Sequence, residues 1–239
     1  MKKIEDLKIK IFSDGADKKD MLEMNSKTFI KGLTTNPSLM KKAGIEDYEA
    51  FAKDILSTIK KKPISFEVFS DDFDDMEKQA MEIASWAANI YVKIPITNTK
   101  KESSKKLIKR LAERKVKLNI TAIMTLDQVK TVVAVLNDNV PSIVSVFAGR
   151  IADTGEDPIP LMKECLKEIK INPKSELLWA SPRELLNVIQ ADQIGCHIIT
   201  VTKDIIKKLQ FINYDLEEYS LDTVKMFYKD AVDAGFKIN

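Results

Sequence analysis

One histidine and two cysteines are all that 239 residues offer to metal and thiol chemistry. His197 alone cannot build an H-E-x-x-H zinc motif, and it reads as a packed residue within a strand. Cys165 and Cys196 stand far apart in apolar surroundings with neither metal-ligand nor redox spacing, so they read as packed, reduced thiols. No metal and no organic cofactor is expected. No apolar run approaches the ~20 residues that cross a bilayer, and a membrane partner is not expected either. Met1 to Lys10 is charged and lacks the apolar core of a secretory signal, which predicts a cytoplasmic chain. Charge of one sign is also missing. Thirty-eight Lys and Arg against 36 Asp and Glu leave a formal charge of +2, dispersed without a basic block, so nucleic acid is excluded as a partner. A small anionic substrate needs only two or three well-placed cations, which net charge does not reveal. The acidic run Asp71 to Asp75 has Met76 where a calcium loop needs glycine, and it reads as a helix start.

What is present is alternation. Short β-branched or aromatic runs, each followed by a stretch of helical period, predict eight strands at about Lys8–Ser13, Phe29–Thr34, Ile64–Phe69, Ile90–Ile94, Lys117–Ala122, Ile143–Ala148, Glu176–Ala180 and His197–Val201. Asn36-Pro37 and Ser181-Pro182 each place an N-cap residue before a proline at the first helical position. Ser181 with Glu184, and Thr125 with Gln128, read as capping boxes. Eight β-then-α units of about thirty residues predict one α/β domain over residues 1–239, a (β/α)8 TIM barrel. An open doubly wound sheet is the alternative, but no G-x-G-x-x-G or P-loop follows any strand. A further amphipathic helix is expected at about 221–234, opened by Ser220, with Val224, Phe227, Tyr228 and Val232 on its apolar face.

Side chains of a barrel strand point alternately to the interior and to the helices. If Val92 and Ile94 face the helices, Lys93 faces inward, where a low-dielectric setting makes a charged ammonium costly and favours a nucleophilic amine. A strand-end lysine that snorkels to water is the bland reading. Asp14, Asn36, Glu67, Asn119, Thr121 and Ser145 share that inward parity near the carboxyl ends of their strands, where barrel active sites lie, and Phe147 follows Ser145. Taken singly, Asp14 could brace a turn, Asn36 cap a helix, and Asn119 and Thr121 satisfy barrel hydrogen bonds. Glu67 is harder to explain away, because an inward carboxylate in an apolar strand needs a partner. Arg150 and Arg183 are loop-side cations, and a helix N-terminus at Ser181 would add free N–H groups for a phosphate.

The ordered set Phe12-Ser13-Asp14-Gly15, Gly32-Leu33-Thr34-Thr35-Asn36-Pro37-Ser38, Phe66-Glu67-Val68, Val92-Lys93-Ile94-Pro95, Asn119-Ile120-Thr121, Ser145-Val146-Phe147-Ala148-Gly149-Arg150 and Ala180-Ser181-Pro182-Arg183 resembles the transaldolase family, which includes the fructose 6-phosphate aldolases. The resemblance implies that Lys93 forms a Schiff base and that Asp14 is the acid/base at the bond being broken. Glu67 and Thr121 would position a water, Asn36, Asn119 and Ser145 would hold the substrate chain, and Arg150, Ser181 and Arg183 would bind phosphate. Glu67 and Phe147 match transaldolases, where aldolases tend to carry glutamine and tyrosine. The implied activity is transfer of a dihydroxyacetone unit between sugar phosphates in the pentose phosphate pathway, in a homo-oligomer built through the C-terminal helix. The alternatives are an aldolase that releases dihydroxyacetone and a non-catalytic sugar-phosphate-binding barrel. Pro182 departs from the family, where an aromatic residue is common.

Overall fold

The computed structural model describes residues 4–238. The first half of the chain forms β1 (Lys10–Asp14), α1 (Lys18–Ser26), β2 (Ile30–Thr34), α2 (Pro37–Lys42), α3 (Tyr48–Thr58), β3 (Ile64–Glu67), α4 (Phe73–Trp86), β4 (Ile90–Pro95) and α5 (Lys105–Glu113). The second forms β5 (Leu118–Ile123), α6 (Leu126–Val133), β6 (Ser142–Val146), α7 (Ala148–Ala152), α8 (Pro158–Ile169), β7 (Ser175–Trp179), α9 (Leu185–Gln193), β8 (Ile198–Thr202), α10 (Lys203–Lys208) and α11 (Leu216–Asp233). All eight strands run parallel, each beside its sequence neighbour, and β8 closes on β1. The (β/α)8 barrel expected from the alternation is therefore the fold.

Two short helices, α2 and α7, occupy the connections after β2 and β6, in addition to the ring helices. Asn36 caps α2, its Oδ1 accepting from the Leu39 N–H, and Pro37 supplies the first turn. Asp72 caps α4 by accepting from the N–H groups of Asp74 and Asp75, so the acidic run is a helix start. Thr125 and Gln128 form the expected capping box. Two starts differ from expectation. The helix after β7 begins at Leu185, because Asn187 Oδ1 accepts from the N–H groups of Arg183 and Glu184 and supplies the acceptor that Ser181 was expected to provide. The C-terminal helix begins at Leu216, capped by Asp215 and not by Ser220.

The core has two layers. One lies between strands and helices and holds Leu33, Phe66, Val92, Ile94, Ile120, Val144 and Val201. The other lies inside the barrel, where Phe12, Ile143, Leu178 and Ile198 pack with Tyr91 and Phe147. Phe12, Ile143 and Ile198 sit two positions before Asp14, Ser145 and Thr200, so an apolar plug underlies a polar layer at the strand ends. Gly32 makes room for the plug: a β-carbon there would stand 2.5 Å from the Phe12 ring. At the opposite end, half-buried His197 accepts the Leu177 N–H on Nδ1 at 3.1 Å, a packing role. Cys165 and Cys196 are free and buried.

No residue of α11 is buried. Leu221, Val224, Phe227, Tyr228 and Val232 are exposed, and the helix is tied down at its start where Tyr219 packs on Phe211 and Tyr214. None of the described helices is long and apolar enough to cross a membrane.

Candidate active site

A cavity of about 520 Å³ opens at the carboxyl ends of the strands. Asp14, Asn36, Glu67, Lys93, Asn119, Thr121, Ser145, Phe147, Arg150, Ser181 and Arg183 all line it. Register explains the gathering. Glu67 pairs with Lys93 and Lys93 with Asn119 on successive strands, while Asp14 pairs with Thr34, so side chains of one parity meet at one level.

Lys93 is 7% exposed. Its Nζ lies 3.1 Å from Glu67 Oε2 and donates to the Thr35 carbonyl at 3.0 Å. An ammonium in such a place needs both a counter-charge and hydrogen bonds, and the two contacts supply them. Tyr48 holds the base of Glu67 in place, its hydroxyl accepting the Glu67 N–H at 2.8 Å.

Asp14 faces this pair across the cavity. Burial pushes its carboxyl above the usual carboxylate range, against the pull of Lys93 and of the Thr34 hydroxyl, which donates to Oδ1 at 2.7 Å; Glu67 adds to the rise. Thr34 Oγ1 also contacts Thr200 Oγ1.

Asn119 is fully buried and bridges two strands. Its Nδ2 donates to Ser65 Oγ at 3.0 Å, and its Oδ1 accepts from Ser145 Oγ at 2.6 Å. Thr121 Oγ1 is buried with no partner among the described residues, leaving a hydroxyl for a substrate or water to satisfy. The strand is irregular just beyond it, with Ala122 at φ +60°.

The rim carries the cations. Arg150 makes no ion pair among the described residues and lies with its guanidinium carbon 5.9 Å from the centre of the Phe147 ring. Arg183 is bound through Nε to Asp153 Oδ1 at 2.8 Å, with a second contact through Nη2, and it holds the Asp153 carboxyl below the usual range. Ser181 lines the cavity with φ +58°, outside any helix, so the helix N-terminus expected there stands instead at Leu185. The following Pro182 disfavours the helical region for Ser181.

Thr34, Thr200 and Thr202 also line the cavity. Thr200 and Thr202 alternate with apolar Ile199 and Val201, a parity signal that sequence reasoning passed over. The Asp153–Arg183 pair spans 30 residues with no local signal.

A family model described as Transaldolase/Fructose-6-phosphate aldolase matches residues 11–238. A probable transaldolase of Methanococcus maripaludis is 32% identical over 216 residues, 90% of this chain and 94% of the relative. A probable transaldolase of a Thermoanaerobacter species is 32% identical over 232 residues, 96% of this chain and all of the relative. Among solved structures, the tryptophan synthase subunit alpha from Campylobacter jejuni superposes with a TM-score of 0.56 at 14% identity, covering 85% of this chain and 90% of that one. KGPDC from Streptococcus mutans does so with 0.56 at 10%, covering 83% and 90%. At such identities these two share the barrel fold alone.

Proposed function

The chain belongs to the transaldolase/fructose-6-phosphate aldolase family, and on that premise we propose that it transfers a dihydroxyacetone unit from fructose 6-phosphate or sedoheptulose 7-phosphate to an aldose phosphate through a Schiff base on Lys93. The observation that carries this reading is the burial of the Lys93 amine inside the barrel, 3.1 Å from Glu67 and in one cavity with Asp14.

Glu67 is the base within reach of the Lys93 ammonium, and loss of that proton leaves an amine that adds to the ketone of the donor. Water leaves as the imine forms, handled between Glu67 and the unpartnered Thr121 hydroxyl. The protonated imine then draws the C3–C4 electron pair while Asp14 takes the C4 hydroxyl proton, and glyceraldehyde 3-phosphate or erythrose 4-phosphate departs. The three-carbon enamine left on Lys93 attacks a second aldose phosphate. Asn36, Asn119 and Ser145 hold the hydroxyls of the chain, and Arg150, Ser181 and Arg183 take the phosphate at the rim. No residue of this scheme calls for a metal.

A second copy of the chain covers the exposed apolar face of α11 in this reading. A row of large apolar side chains is costly to leave in water. The helix also carries both Glu217 and Glu218 and Lys225 and Lys229, so it can complement itself in a symmetric pair.

Borohydride reduction in the presence of fructose 6-phosphate tests the central step. A stable adduct is expected on the peptide containing Lys93. An adduct on another lysine, or none despite turnover, overturns the reading.

A further inference from the structure

Asp14 accepts from Thr34 at Oδ1, and Thr34 in turn contacts Thr200. The two threonines are 2% and 8% exposed, so each hydroxyl has little recourse to bulk water. A hydroxyl has one proton, and an ionised carboxylate can only accept. Thr34 therefore spends its proton on Asp14, can only accept from its other neighbour, and Thr200 must donate to Thr34. While Asp14 is ionised, no other order uses both contacts. Oδ2 of Asp14 receives no hydrogen bond among the described residues, and Asp14 lines the cavity. Lys93 from β4 and Glu67 from β3 are the charged groups that act on this carboxyl; its own β1 and the flanking β2 and β8 present the threonines.

We propose that Thr200 and Thr34 form a one-directional donor chain that positions Asp14, so that Oδ2 alone takes and returns the proton of the substrate's C4 hydroxyl. The inference rests on the acid/base reading of Asp14 given above. In cleavage the hydroxyl proton passes to Oδ2 and its bonding pair becomes the new C=O bond. The C3–C4 pair neutralises the iminium and yields the enamine. In transfer Oδ2 returns the proton to the alkoxide of the product. Oδ1 keeps the Thr34 hydrogen bond in both states, so the carboxyl has no reason to rotate. Thr200 is a positioning residue, two hydrogen bonds from Asp14 and three from the substrate.

The test compares Thr200→Val with Thr200→Ser in the full chain. Thr200→Val is nearly isosteric and deletes the terminal donor; kcat with fructose 6-phosphate and erythrose 4-phosphate should fall about tenfold, with KM changed by less than about twofold. Thr200→Ser, which restores the donor, should recover most of kcat. Borohydride trapping on Lys93 should proceed normally in both, because imine formation precedes the Asp14 step. Should Thr200→Val fail to fold, Thr200→Ala carries the same expected split. Wild-type kcat in Thr200→Val beside an inactive Asp14→Asn overturns the donor chain alone. Equal losses in the valine and serine variants point to packing and also overturn it. A fully active Asp14→Asn overturns the acid/base reading and the chain together.

Discussion

A β-carbon on Gly149 would stand 1.5 Å from the carbonyl oxygen of Ser181. The Gly149 N–H also reaches the Ala180 carbonyl at 3.3 Å, so the start of α7 and the loop before α9 lie backbone against backbone. That contact brings Arg150 and Arg183 to one rim. Gly149→Ala must push the Ser181 loop away, at an overpacking cost of about 1–3 kcal/mol. The variant is expected to lower the melting temperature and raise KM for fructose 6-phosphate. Arg150→Ala should raise KM for phosphorylated donors far more than for free fructose or dihydroxyacetone, by about 1.5–3 kcal/mol, without a change in melting. An equal loss on both substrate types would reject the phosphate role of Arg150.

Asp14 is a candidate for a trade between function and stability. Its folded pKa lies above the unfolded value of 3.8, so the folded state binds the proton more tightly. The stabilisation from a protonated Asp14 is fully present below the unfolded value and is lost as pH rises through the folded one. At neutral pH the protein bears the cost of a buried carboxylate. Asp14→Asn removes that charge and can still accept from Thr34, so it should abolish turnover yet raise the melting temperature at pH 7. The gain should shrink to nothing as pH falls below about 3.8. A variant less stable than wild type at neutral pH would contradict this account.

Strand order and parity were legible because the inward and outward positions alternate so cleanly: Val92 and Ile94 pack toward the helices while Lys93 turns to the cavity. The Thr125 and Gln128 box was legible for the same reason, being a local hydrogen-bond pattern. Local signals misled where a distant or later residue supplied the same group. Ser181-Pro182 resembles a helix start, yet Asn187, six residues beyond Ser181, accepts from the Arg183 and Glu184 N–H groups, and Ser181 is left-handed. Ser220 lies inside a helix that starts four residues earlier, where Asp215 Oδ1 accepts from the Glu217 and Glu218 N–H groups. The Arg183–Asp153 pair joins residues 30 positions apart through the pairing of β6 with β7, and the Thr34–Thr200 contact joins residues 166 apart that meet only because β8 closes on β1.

Val224 and Phe227 are 60% and 63% exposed on α11. If a second copy covers them, Val224→Lys together with Phe227→Lys should leave the barrel folded and dissociate the assembly. Light scattering should then report a mass near 27.1 kDa, against a multiple of it for the unmodified chain. A single-copy mass for the unmodified chain, or no change on substitution, would reject α11 as the interface.

Phe147 bears on whether the enamine waits for an aldehyde or is quenched. Its ring lies in the same cavity as Lys93 and Ser145 and offers no hydroxyl to hold or pass a proton to the enamine carbon. Fructose 6-phosphate alone should then release glyceraldehyde 3-phosphate in a burst of about one equivalent per Lys93 and nearly stop. Erythrose 4-phosphate supplies the missing electrophile. Turnover should rise at least ~100-fold, about 2.7 kcal/mol of barrier, with sedoheptulose 7-phosphate appearing in step with glyceraldehyde 3-phosphate. Phe147→Tyr places a phenol in the cavity that can orient a protonating water, so it should speed release of free dihydroxyacetone and narrow the gap. Steady release of dihydroxyacetone by the unmodified protein without any acceptor, at a rate comparable to transfer, would make the chain an aldolase with the same Schiff base.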